Sequence, residues 1–208
     1  MRLVLALLVA MFVATSVHAA DVAIEGQYTR VLEKKMESNV GDLELEYDEL
    51  ILSLPIELNE KVTVAPLVGV LSNATVNEDG IDDSLVAGLG IDVGLLSNDI
   101  LDLDLISALK VSDLEDEAGG DIGYKEYSTE LRVSKVLETA DYTLTPYAGI
   151  RLSDTDIDVD LDLVDASQEE NVGITCGVDV AVLDNLVISV SGNFVDQESF
   201  GVSGKLKF

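Results

Sequence analysis

Apolar and polar residues alternate one for one along most of this chain. Leu50, Leu52, Leu54, Ile56 and Leu58 share one parity, as do Val62, Val64, Pro66, Val68 and Val70, and then Leu85, Ala87, Leu89, Ile91, Val93 and Leu95. Successive side chains of a strand point to opposite faces, so this period of two predicts strands with one apolar face. The pattern recurs over 101–111, 127–137, 142–152, 172–182, 186–194 and 200–208, with a weaker opening segment over 22–29. No helical period competes with it. The count is ten strands, or eight if 22–29 and the 43–47 stretch are loop.

The connections alternate in length. Short turns fall at 59–61, 97–99, 138–141 and 183–185, and longer polar segments at 34–42, 73–84, 113–124, 154–170 and 195–199. One end of the hairpin series is therefore tight and the other elaborated, which is the asymmetry of an outer-membrane barrel. A tilted strand of about 9–11 residues crosses the hydrocarbon, its backbone is satisfied only by neighbouring strands, and closure removes the edges. The expected fold is all-β, a closed antiparallel transmembrane barrel. An even strand number places both termini at the short-turn end.

The first residues belong to targeting rather than to the barrel. A positive start at Arg2, an unbroken apolar run from Leu3 to Val13 and small residues around Ala19 read as a secretory signal over 1–19, leaving 20–208 as the barrel domain. His18, the only histidine, leaves with that segment, and Cys176 is the only cysteine. Imidazole acid–base chemistry, a Ser-His-Asp triad, an intramolecular disulfide and a thiolate zinc cluster are all excluded, and we expect no enzyme and no resident cofactor. The net charge of −28 excludes a nucleic-acid binder, while mean hydropathy is nonetheless positive because the carboxylates are interleaved with Leu, Ile and Val.

Two segments carry a family likeness. Thr145-Pro146-Tyr147-Ala148-Gly149-Ile150-Arg151 and the terminal Phe200-Gly201-Val202-Ser203-Gly204-Lys205-Leu206-Lys207-Phe208 resemble strands of the small outer-membrane β-barrels of Gram-negative bacteria, the opacity and OmpA-like group. The resemblance implies residence in the outer membrane, contact with its lipid, and assembly by the barrel assembly machinery, with Phe208 as the assembly signal. The family's aromatic girdles are thin here, since the chain has no Trp.

The face opposite the apolar one would line the lumen. It carries Asp102, Asp104, Glu130, Arg132 and Arg151 among others. In a barrel of eight to ten strands side chains fill the interior, so Arg132 and Arg151 should pair with Glu130, Asp102 or Asp104 and plug it; a narrow cation-preferring channel is the alternative. Asp154, Asp156, Asp158, Asp160 and Asp162 form an acidic row in which apolar residues change parity after Ser153, predicting a bulge or loop at the membrane's outer edge and a projecting hairpin arm. That row is a candidate weak Ca²⁺ or Mg²⁺ site, although carboxylates two apart on one strand are too far apart to cage an ion alone. The stretches 33–49, 78–83, 113–126, 154–170 and 196–198, at the elaborated end, hold 27 of the 40 acidic residues. A structural or surface-interaction role through acidic external loops, with divalent cations or basic external ligands as partners, is the resulting functional expectation.

Overall fold

The computed structural model describes residues 21–208 except 40, 78, 82, 116–120, 140–141, 160–164 and 170, so the 1–19 signal lies outside the described residues. Fourteen strands are present and no helix among the described residues. They are β1 (Ala23–Ser38), β2 (Gly41–Ser53), β3 (Ile56–Asn59), β4 (Val62–Val76), β5 (Asp79–Ile81), β6 (Ser84–Ser97) and β7 (Asp102–Glu115), followed by β8 (Asp121–Ser134), β9 (Leu137–Glu138), β10 (Thr143–Val159), β11 (Asp165–Gln168), β12 (Val172–Leu183), β13 (Leu186–Phe194) and β14 (Glu198–Lys207). Ten long strands pair antiparallel in the order β1, β2, β4, β6, β7, β8, β10, β12, β13, β14. β14 then pairs with β1 from Ala23↔Lys207 to Glu33↔Glu198, which closes the barrel.

The apolar parity faces outward. Leu50, Leu89, Leu109, Leu131, Ile150, Ile174 and Val190 are all exposed, Ile150 at 59%. In water such a continuous apolar girdle would be a large association surface, whereas lipid satisfies it. On β6 the belt runs from Leu85 to Leu95, and the ten steps between them at about 3.3 Å each, tilted by about 40°, span about 25 Å of hydrocarbon. Tyr28, Tyr127, Phe194 and Phe200 lie on the outward face toward its outer edge, and Tyr142 and Phe208 at the short-turn edge. Cys176 is exposed on this belt between Ile174 and Val178.

The elaborated end is built largely of strand. β1 and β2 continue through the expected 34–42 loop, and β4, β7, β8 and β10 likewise extend into segments expected to be loops. β12, β13 and β14 stop short. β11 takes their place above them, pairing with β10 at Asp156–Asp158 and with β1 at Met36–Ser38. One strand thus joins β10 to β1 where three stand below.

The expected bulge or loop near Ser153 is absent. β10 pairs with β8 without a register shift from Tyr147↔Ser134 to Val159↔Ile122, and Arg151, Ser153, Thr155 and Ile157 are all buried on the inner face. What changes at Ser153 is the surroundings. Within the belt the outer residues are apolar (Ile150, Leu152) and the inner ones polar; beyond it Asp154 and Asp156 face water and Ile157 enters an internal apolar cluster. The pleat flips instead at a bulge between Val31 and Lys34, after which even residues point inward. It also jogs at Leu54-Pro55, where proline cannot donate to the ladder and Ile56 turns inward to 0% exposure.

Candidate functional site

A layer of charged side chains crosses the lumen where the barrel leaves the membrane. At its centre is Glu126 of β8, 2% exposed. Its Oε2 accepts hydrogen bonds from Lys34 Nζ at 2.8 Å and Tyr124 Oη at 2.7 Å, and its Oε1 lies 3.4 Å from Lys110 Nζ and 3.3 Å from an Arg151 amine. Lys110 also donates to both oxygens of Glu49 at 2.8 Å, and Arg151 reaches Asp196 at 3.6 Å. Three cations therefore meet three carboxylates from β1, β2, β7, β8, β10 and the turn after β13. The set is electroneutral, which makes burial tolerable in a low-dielectric interior.

Two features flank the charged layer. Outward of the charges, Met36, Leu45, Ala74, Ile157 and Ala166 pack with Tyr47 and Tyr124 in one buried apolar cluster, each large side chain contributing about 1.5–3 kcal/mol by burial. Beside them the Val195–Gln197 turn folds into the barrel. Val195 sits at φ 83°, a conformation a β-branched residue rarely adopts, and it directs Asp196 and Gln197 inward. Asp196 Oδ2 accepts from Ser153 Oγ at 2.8 Å, and Gln168 of β11 donates to Ser153 Oγ at 2.9 Å and to the Asp196 carbonyl at 3.1 Å. Gly173 makes room for this turn, since a Cβ there would strike the Asp196 carboxylate.

Of the residues expected to form the lumen network, Arg151 enters the hub, but with Glu126 and Asp196 as partners. Arg132 Nε donates to Glu130 Oε1 at 2.7 Å, two residues away on β8, and its guanidinium lies 4.1 Å from the centroid of the Tyr147 ring. The ring rests against Gly177, where a side chain would collide with it. Asp104 stands opposite Arg132 in the β7–β8 register without joining the Glu130 contact, and Asp102, at the short-turn rim, accepts from Ser97 Oγ at 2.6 Å. Lys34, Glu49, Lys110, Glu126 and Asp196 were not among the expected network residues.

In the acidic row, Asp154 and Asp156 are exposed on the outer surface. Asp158 continues the β10 ladder, while Asp160 and Asp162 lie outside the described residues. Among the described residues no group of three acidic, histidine or cysteine side chains is placed to hold a metal ion. Phe208 is 72% exposed at the short-turn end, with its N–H donating to the Val22 carbonyl at 3.0 Å. Beneath the hub a cavity of about 440 Å³ continues down the lumen as far as Thr63, Val187 and Lys205.

A closed ten-strand antiparallel ring with an apolar girdle outside and charges inside is an outer-membrane-type β-barrel. The sequence matches no protein-family model and no curated protein. Among solved structures, the chain is similar to an outer membrane channel from Pseudomonas putida F1, with TM-score 0.51 and 10% identity over 92% of this chain and 97% of that one. It is also similar to the β domain of the Bordetella autotransporter BrkA (TM-score 0.46, 13% identity, 91% and 100% covered). A further likeness is to the outer membrane protease OmpT of Escherichia coli (TM-score 0.45, 11% identity, 91% and 96% covered). At these identities the likeness is one of fold, and the fold is that of the outer-membrane barrels of Gram-negative bacteria.

Proposed function

We propose that this protein is a sealed outer-membrane barrel with a structural or surface-interaction role, presenting an acidic, strand-built lobe to the cell exterior. The observation that carries the reading is the Glu126 hub. A lumen crossed by an electroneutral, hydrogen-bonded layer, with an apolar cluster directly above it, supports a plugged interior over an open pore, and removing any one charge would strand its partners. Outside, Glu46, Asp48, Asp154 and Asp156 face outward above the belt. Such a surface repels anionic solutes and nucleic acid and attracts divalent cations such as Ca²⁺ or Mg²⁺ and basic ligands. The role is non-enzymatic in this reading, supported by the absence of any histidine beyond His18. The alternative, a narrow cation-preferring channel, draws on the polar cavity below the hub.

The surface role is tested on cells displaying the protein, by measuring capture of a fluorescent oligolysine peptide. Wild-type cells should capture more than cells carrying Glu46→Gln/Asp154→Asn/Asp156→Asn at equal surface density, and the difference should shrink with salt. Equal capture would contradict it.

A further inference from the structure

We propose that the cavity beneath the hub is a binding site for a small organic ammonium ion with an aliphatic body. At about 440 Å³ it falls in the range of about 300–1,000 Å³ usual for small-molecule sites. Its walls differ in character. Ala65, Leu67, Ile106 and Ala108 on β4 and β7 form an aliphatic side, and Asp179, Ser189, Ser191 and Ser203 on β12, β13 and β14 a polar side.

The charges left over after pairing set the sign of the ligand. Within the lining, Glu49 and Glu126 are held by the hub cations, and Glu130 by Arg132. Glu25, Asp92 and Asp179 then face Lys205, an excess of two negative charges along the cavity wall. Two buried lining atoms also have no hydrogen-bond partner, Asp92 Oδ1 and Gln197 Oε1. Gln197 is only 5% exposed, and its amide nitrogen donates to Ser199 Oγ at 3.1 Å. Both orphans are acceptors, and an unsatisfied buried acceptor costs about 1–3 kcal/mol until a donor arrives.

An ammonium ion supplies charge and N–H donors together, and its methylene groups cover the aliphatic wall. A bare metal ion fits less well, because it fills a small part of the volume and no three metal-capable side chains converge among the described residues. The hub closes the outer end, so the ligand enters from the short-turn end.

The test is calorimetric titration of the purified full chain in detergent micelles with 1,4-diaminobutane, with 1,4-butanediol as the uncharged match and Mg²⁺ as the match in charge. Saturable one-to-one binding of the diamine is expected, absent with the diol, weakened at least tenfold by Asp92→Asn and by Gln197→Leu, and unchanged by Asp99→Asn in the exposed turn between β6 and β7. No diamine binding, equal binding of the diol, Mg²⁺ binding as tight as the diamine, or full affinity in Asp92→Asn would each overturn the proposal. Should Asp92→Asn fail to fold, Gln197→Leu and the wild-type ligand series decide it.

Discussion

Lys34 Nζ and Glu126 Oε2 lie 2.8 Å apart with both side chains buried, joining β1 to β8 across the lumen although 92 residues separate them in sequence. A buried pair of this kind contributes little net stability when intact, yet losing one partner leaves a bare charge in low dielectric. Glu126→Gln strands Lys34 and weakens the hold on Lys110 and Arg151, and should destabilise the barrel by about 3–5 kcal/mol. Arg30→Ala removes the outward contacts to Asp48 at 3.0 Å and Glu46 at 3.5 Å and should cost about 1 kcal/mol or less. Urea unfolding in phospholipid vesicles measures both, and equal losses would refute the hub's special standing.

The inward turn after β13 gives a second prediction through Gly173. A methyl group there meets the Asp196 carboxylate, so Gly173→Ala should cost about 1–3 kcal/mol by overpacking. In an Asp196→Ala background the same substitution should cost clearly less, a coupling that a double-mutant cycle reads directly. Additive losses would mean that the turn does not occupy the barrel mouth.

The membrane boundary on β10 is assigned between Leu152 and Asp154. Leu89 lies in the middle of the belt on β6, and Leu89→Arg should destabilise the barrel in vesicles by about 2–4 kcal/mol. Asp156→Arg, beyond the boundary, should change stability by about 0.5 kcal/mol at most. Similar costs at both sites would move the boundary.

Those two sites also explain how far the sequence could be read. Alternation made the ten strands legible because lipid imposes one rule on the outer face along the whole belt. The rule inverts where the strand leaves the lipid: Asp154 and Asp156 face water and Ile157 faces inward, and on parity alone this looks the same as a bulge. The true phase changes lie at Val31/Lys34, between the 22–29 strand pattern and the 34–42 segment expected as loop, and at Pro55, inside a run whose apolar parity is unbroken. Glu126 and Lys34 are hidden for a related reason: Lys34 opens the 34–42 segment expected as loop, and Glu126 falls between the 113–124 segment and the alternation that resumes at Tyr127. Lys34 had one signal available, as the member of the Lys34-Lys35 pair that shares its parity with Met36. Arg151 was legible as a lumen residue, but its partners come from β8 and the β13–β14 turn, and only the closed ring brings those together.

Assembly supplies a fourth prediction. Phe208 is exposed at the end of the strand that closes on β1, where a recognition factor can reach it. Deleting it should lower the fraction inserted in the outer membrane while export across the inner membrane continues, and Phe208→Tyr should retain insertion. Membrane fractionation after pulse labelling distinguishes these, and unchanged insertion on deletion would remove the role.

The seal at the outer end is tested most directly by the conductance of the wild-type protein in planar bilayers. With Lys34, Lys110 and Arg151 locked against Glu49, Glu126 and Asp196 beneath a packed apolar cluster, membranes holding the folded barrel should show no steady current at neutral pH. Large, regular openings of the unmodified barrel would contradict the account and favour the channel reading.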